Sequence, residues 1–156
     1  MAIISFGGRA NIGIRIVQEK YPGAYLYEID GKATDGPTKD PNNIDRMRIV
    51  CGRYQGSETI IIKEKSFNEF GEPQAFEKPW LEDVIVKWPI TMDLPEAIQL
   101  KEKADCKDPF EFVTVRNPLG PKPGNPYFIF SNRGSDEHVF VDIITKKVHV
   151  VESAPV

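Results

Sequence analysis

Apolar and polar positions alternate with a period of two in several separate stretches of the chain, a pattern that predicts half-buried strands. Strands are predicted at residues 2–6, 24–30, 46–53, 59–65, 82–88, 110–116, 127–131, 138–144 and 147–151. Two stretches change the period. Residues 11–20 bring Ile12, Ile16 and Val17 to one helical face with Gly13 beside them, and Asn11 stands where a cap would. The alternation of Ile12, Ile14 and Ile16 keeps a strand open as the competing reading. Residues 93–104 give a clearer helix. Asp93 is an N-cap type, and Pro95 falls in a first turn where its missing N–H costs nothing. Glu96 completes a capping-box spacing, and Ala97, Leu100 and Ala104 form the apolar stripe.

Glycine, proline, asparagine and aspartate punctuate these elements. Residues 31–43 and 117–126 read as loops, residues 67–79 as irregular, and Gln55-Gly56-Ser57-Glu58 and Asn132-Arg133-Gly134-Ser135 as turns. The order helix, strand, loop, strand, turn, strand then occurs twice. Four segments of the first half answer four of the second in the same order, which points to a duplication. The expected class is α+β: antiparallel sheets each packed by a helix, in two similar halves at residues 1–90 and 91–156, or those halves merged into one compact unit.

Composition narrows the function classes. The 156 residues carry 20 Lys and Arg against 23 Asp and Glu, interspersed, so no basic face is implied and nucleic acid is not an expected partner. The apolar runs are strand-length, far short of the roughly 20 residues a membrane helix needs, so no membrane contact is expected. A secretory signal is absent from the first residues, which leaves a cytoplasmic protein or a processed, secreted one. Cys51 and Cys106 are expected as free thiols. A strand at 24–30 with an exposed edge would allow an oligomer, whose state stays open.

Chemistry-bearing residues are sparse. His138 and His149 both fall in predicted strands, and Ser135 and Asp136 precede His138 too closely for a triad. Asp35, Asp40 and Asp45 recur at five-residue intervals, unlike the alternating ligands of a calcium loop. No metal and no cofactor are expected. Trp80 and Trp88 are eight residues apart, an even spacing that predicts one shared strand face.

Three resemblances suggest uses. Residues 139–148 (Val-Phe-Val-Asp-Ile-Ile-Thr-Lys-Lys-Val) resemble the closing strand pair of PepSY-type domains, with Lys146 where glycine is usual. That resemblance implies a helix laid on an antiparallel sheet and a non-catalytic module that binds or restrains peptidases. Arg48-Ile49-Val50-Cys51-Gly52 and Pro79-Trp80 resemble the wedges of cystatin-type cysteine-protease inhibitors, which makes Val50, Cys51, Gly52, Pro79 and Trp80 candidate binding residues; Trp88 joins them as the second aromatic of the predicted shared strand face. Gly7-Gly8-Arg9-Ala10-Asn11-Ile12-Gly13 is similar to a dinucleotide-binding turn with altered spacing. The expected function is a non-catalytic binding or inhibitory protein whose partner is another protein, a peptidase by preference. The alternatives are a small-ligand protein or small enzyme with a pocket between helix and sheet, and a cystatin-like inhibitor.

Overall fold

The computed structural model describes residues 4–80, 83–118 and 124–152. The first helix, α1 (Phe6–Lys20), starts five residues earlier than its periodicity predicts, because the Ser5 hydroxyl accepts the Gly8 N–H at 3.0 Å and caps it. The strand predicted at 2–6 is therefore not formed where it is described: Ile4 and Ser5 lie outside any strand and Phe6 is helical, while residues 2–3 lie outside the described residues. Burial of Phe6, Arg9, Ala10, Gly13, Ile14 and Val17 at spacings of three and four resolves the helix-or-strand ambiguity. Gly13 is the point of closest approach to the sheet. A Cβ there would stand 2.4 Å from Ile49 Cδ1 and 2.9 Å from the Phe70 ring.

The strands follow as β1 (Tyr25–Lys32), β2 (Arg46–Arg53), β3 (Glu58–Ser66), β4 (Glu69–Phe70), β5 (Gln74–Phe76) and β6 (Asp83–Val84). The second helix α2 (Leu94–Lys103) precedes β7 (Phe112–Pro118), β8 (Tyr127–Ser131), β9 (Glu137–Asp142) and β10 (Val148–Glu152). The short β4 and β5 lie in a stretch predicted as irregular. The strand predicted at 82–88 shrinks to β6 and a single bridge from Val86 to Leu26, with Glu82 outside the described residues. β6 fills the gap where β1 and β7 part, pairing Val84 with Asn117.

All strand pairs are antiparallel, in the order β10-β9-β8-β7-β1-β2-β3-β4, with β5 also on β3 and β6 on β7. One continuous sheet thus replaces the two expected. The stretch expected as an exposed edge, residues 24–30, lies at its centre between β2 and β7. The ends of the strand order are β10 and β4.

Both helices cover one face. Register brings Ile29, Ile49 and Ile62 into one row, and Val115, Phe128 and Val141 into its continuation, all buried against α1 and α2. The Phe6 and Phe128 rings, 6.0 Å apart, tie the first helix to the strands of the second half. No helix among the described residues is long and apolar enough to cross a membrane.

Candidate functional site

Among the described residues the opposite face of the sheet carries no helix, and its central strands present charge. Alternation sends Glu28, Asp30 and Lys32 of β1 to this face while Ile29 and Gly31 face the helices. β2 likewise turns Arg46 and Arg48 outward, and β7 turns Phe112 and Thr114. Register then builds two rows across the strands. Thr114, Asp30, Arg48 and Lys63 are successive neighbours in one; Phe112, Lys32 and Arg46 are neighbours in the next.

Arg48 is the fixed centre. Its guanidinium donates to Asp30 at 2.9 and 2.6 Å and to Glu28 at 3.1 Å, and Thr114 Oγ1 donates to the other Asp30 oxygen at 3.0 Å. Burial opposes the guanidinium's charge, but Asp30 and then Glu28 outweigh it and raise its pKa. The Trp80 ring lies 5.9 Å away, and Thr59 donates to the Lys78 carbonyl at 2.6 Å, which pins the segment carrying Trp80 across this face. Lys32 sits 5.9 Å from the Phe112 ring, and Arg46 lies 3.5 Å from Asp45.

Two lobes form a shallow groove here. One, of about 380 Å³, is bordered by Asp30, Lys32, Arg46, Arg48, Lys63 and Phe112. The other, of about 500 Å³, reaches past Ile61 and Lys65 to Phe76 on the edge strand β5, and the two share Lys63 and Glu64.

The candidate residues named from the sequence do not converge. Val50 and Cys51 are buried inside β2, and Gly52 lies under Tyr27, whose ring would stand 2.3 Å from a Cβ there. The hairpin tip is Tyr54–Ser57, beyond all three; Tyr54 and Gln55 both take φ of 57° before Gly56, and Tyr54 is well exposed. Burial pushes the Cys51 thiol up to about 12, so it stays protonated and unreactive at neutral pH. Both cysteines are free. Pro79 is exposed and Trp80 half-buried on the groove side. Trp88 lies on the helix side, where its indole N–H donates to Asn11 at 3.2 Å. The shared tryptophan face fails because the connecting strand is two residues long, too short to hold the alternation over eight.

Asn11, read as a cap, is thus inside α1. The phosphate-facing position that the glycine turn suggested is filled by the chain itself: Asp93 Oδ1 accepts the Gly7 N–H at 2.9 Å and the Leu94 N–H at 2.8 Å. His138 and His149 lie in β9 and β10. No group of three or more His, Cys, Asp and Glu among the described residues is placed to hold a metal.

The helix side carries further cavities, of about 500 Å³ beside Gly7, Asn11 and Trp88 and of about 210 Å³ beside Phe6, Arg9 and Phe67. A cavity of about 60 Å³ lies at the end of α2, bordered by Lys101, Cys106, Phe110, Phe130 and Asn132. Buried Lys101 donates there to the carbonyls of Cys106 and Asp108 at 2.6 and 2.9 Å, and burial lowers its pKa.

Sequence reasoning passed over Lys32, Arg46, Arg48 and Lys63. Their alternation within β1, β2 and β3 was a visible signal of an outward face, but only register makes them neighbours. Compared with protein-family models, with curated proteins and with solved structures, the chain finds no match in any of the three.

Proposed function

We propose that this chain is a non-catalytic binding or inhibitory protein that engages another protein through the helix-free face of its sheet. The observation that carries this reading is the two-lobed groove between Phe112 and Phe76, held on central strands whose polar groups are already locked around Arg48. An open groove with aromatic ends suits an extended polypeptide, whereas a small ligand calls for an enclosing cavity. Rigid strands keep the ordering cost of binding low. A peptidase is the partner class, a preference that rests on the PepSY-type resemblance. The internal duplication belongs to the same reading. Supporting it, α1-β1-β2-β3 and α2-β7-β8-β9 follow one order, and the sheet runs outward as β1-β2-β3 on one side and β7-β8-β9 on the other.

The test is titration of the protein against purified cysteine, serine and metallo-peptidases, with complex formation followed by calorimetry. Inhibition of one class is expected, weakened about tenfold or more by the double substitution Phe76→Ala/Phe112→Ala, since aromatic anchors dominate such interfaces. Full activity of every enzyme with no measurable heat of binding would sink the proposal.

A further inference from the structure

Where charged residues are cross-strand neighbours, opposite signs stabilise the pairing and like charges directly opposite destabilise it. The groove breaks this rule twice in adjacent rows: Lys32 stands opposite Arg46, and Arg48 opposite Lys63. Arg46 has Asp45, and Arg48 has Asp30 and Glu28. Lys32 and Lys63 have no carboxylate within ion-pair distance among the described residues. Five cations, Lys32, Arg46, Arg48, Lys63 and Lys65, border the two lobes, in a chain whose net charge is −3. The carboxylates nearby are committed elsewhere. Glu64 is held from the opposite side by buried Arg9, and Glu72 by Lys20. Among the described residues, Lys32 and Lys63 are therefore cations of this face left without a carboxylate.

Resting on the groove as the docking surface, we infer that its occupant is an acidic stretch of polypeptide. Carboxylates two positions apart on an extended chain are separated by about 6.6–7 Å, the spacing of successive same-face rows along a strand. One carboxylate meets Lys32 in the row of Arg46, the next meets Lys63 in the row of Arg48. An apolar side chain beyond them packs on Phe112 or Phe76. A nucleic acid fits worse: the ends of the groove are apolar, and the net negative charge of the whole chain repels a polyanion at long range.

The probe is a fluorescent peptide of alternating glutamate and leucine, measured by anisotropy with the full chain. A lysine–leucine counterpart and a single-stranded oligoribonucleotide serve as controls. The acidic peptide is expected to bind, to weaken with added salt, and to lose about tenfold or more in affinity with Lys32→Glu/Lys63→Glu. Lys103→Glu/Lys107→Glu, a matched charge change at the end of α2, should leave binding unchanged. An unchanged thermal midpoint shows that the variants remain folded. Failure of the acidic peptide to bind, equal binding by the Lys32→Glu/Lys63→Glu variant, or tighter binding of the oligoribonucleotide overturns the inference. Peptidase inhibition separates the two ideas. If it survives Lys32→Glu/Lys63→Glu but falls with Phe76→Ala/Phe112→Ala, the docking face stands and its acidic occupant is refuted. If it survives both, the two fall together.

Discussion

Asp93 serves two helices at once: one oxygen caps α2 at Leu94 and accepts from Gly7 in the first turn of α1. Removing it leaves two helix N-termini short of an acceptor near their positive ends. Asp93→Ala should cost about 1–2 kcal/mol and lower Tm by roughly 3–6 °C in a thermal melt. Lys146 tests a different constraint. It turns between β9 and β10 with φ of 64°, the left-handed region that costs a residue with a Cβ roughly 1–2 kcal/mol. Its ion pair with Glu96 joins two well exposed side chains and contributes little. Lys146→Gly should therefore raise stability by about 0.5–1 kcal/mol in urea unfolding, the relief of strain exceeding the extra freedom gained by the unfolded chain.

Two further residues set the acid limb. Burial opposes ionisation of Asp142, but N–H bonds from Thr145, the Asn125 amide and the Ile144 N–H hold its carboxyl below the ordinary 3.8. Asp45 is likewise held down, its bonds from Thr34 outweighing burial. For carboxyls depressed in the folded state, the unfolded chain binds more protons in the acid range. Their stabilisation is full above the ordinary carboxylate value and drains away as pH falls through the lowered ones. Chemical denaturation across that range should show a steep acid loss, made shallower in Asp142→Asn.

Among the elements, α1 is anchored by an ion pair as well as by apolar contacts. Arg9 is buried in the sheet interface, paired with Glu64 of β3, bonded to the Ile44 carbonyl and lying 4.3 Å under the Phe67 ring. Glu64 also accepts the Asn68 N–H, so one carboxylate joins helix, strand and turn. Breaking such a pair leaves a buried charge without its counterion, whereas replacing both partners by apolar groups is often neutral. Glu64→Leu alone should cost about 3–5 kcal/mol, and Arg9→Met/Glu64→Leu should recover most of that loss in a double-mutant cycle. Gly13 sets the depth at which α1 lies. Gly13→Ala gains helix propensity of about 1 kcal/mol yet forces Ile49 and Phe70 aside, and overpacking of that kind typically costs 1–3 kcal/mol.

For the whole molecule, the decisive contact is β1 against β7. It runs from Glu28↔Arg116 to Lys32↔Phe112 and fuses the strands of both halves into one sheet with one core cluster. Neither half can expose that junction without stripping a central strand of its hydrogen bonds and Val113 and Val115 of their cover. Differential scanning calorimetry should therefore record a single transition with equal calorimetric and van't Hoff enthalpies; two resolved transitions would mean that the halves are independent.

The α+β class, α2 with its cap, the strand positions of β2 and β8, and the proline- and glycine-rich punctuation were all legible in the sequence. These follow from side chains a few residues apart, where periodicity and capping chemistry act. The N-terminal limit of α1 escaped because two glycines read as a break until Ser5 and Asp93 supplied acceptors for the first-turn N–H groups. Tertiary structure alone decided that residues 24–30 are central and not an edge, that Trp80 and Trp88 lie on different sides, and that Val50 and Cys51 are interior. It alone brought Lys32, Arg46, Arg48 and Lys63 together from three strands. Alternation assigns each of these to a face, but a shift of one residue in register would send a strand's whole set to the other side. That register is set by packing between segments far apart in the chain, and so the groove becomes visible only once the sheet has closed.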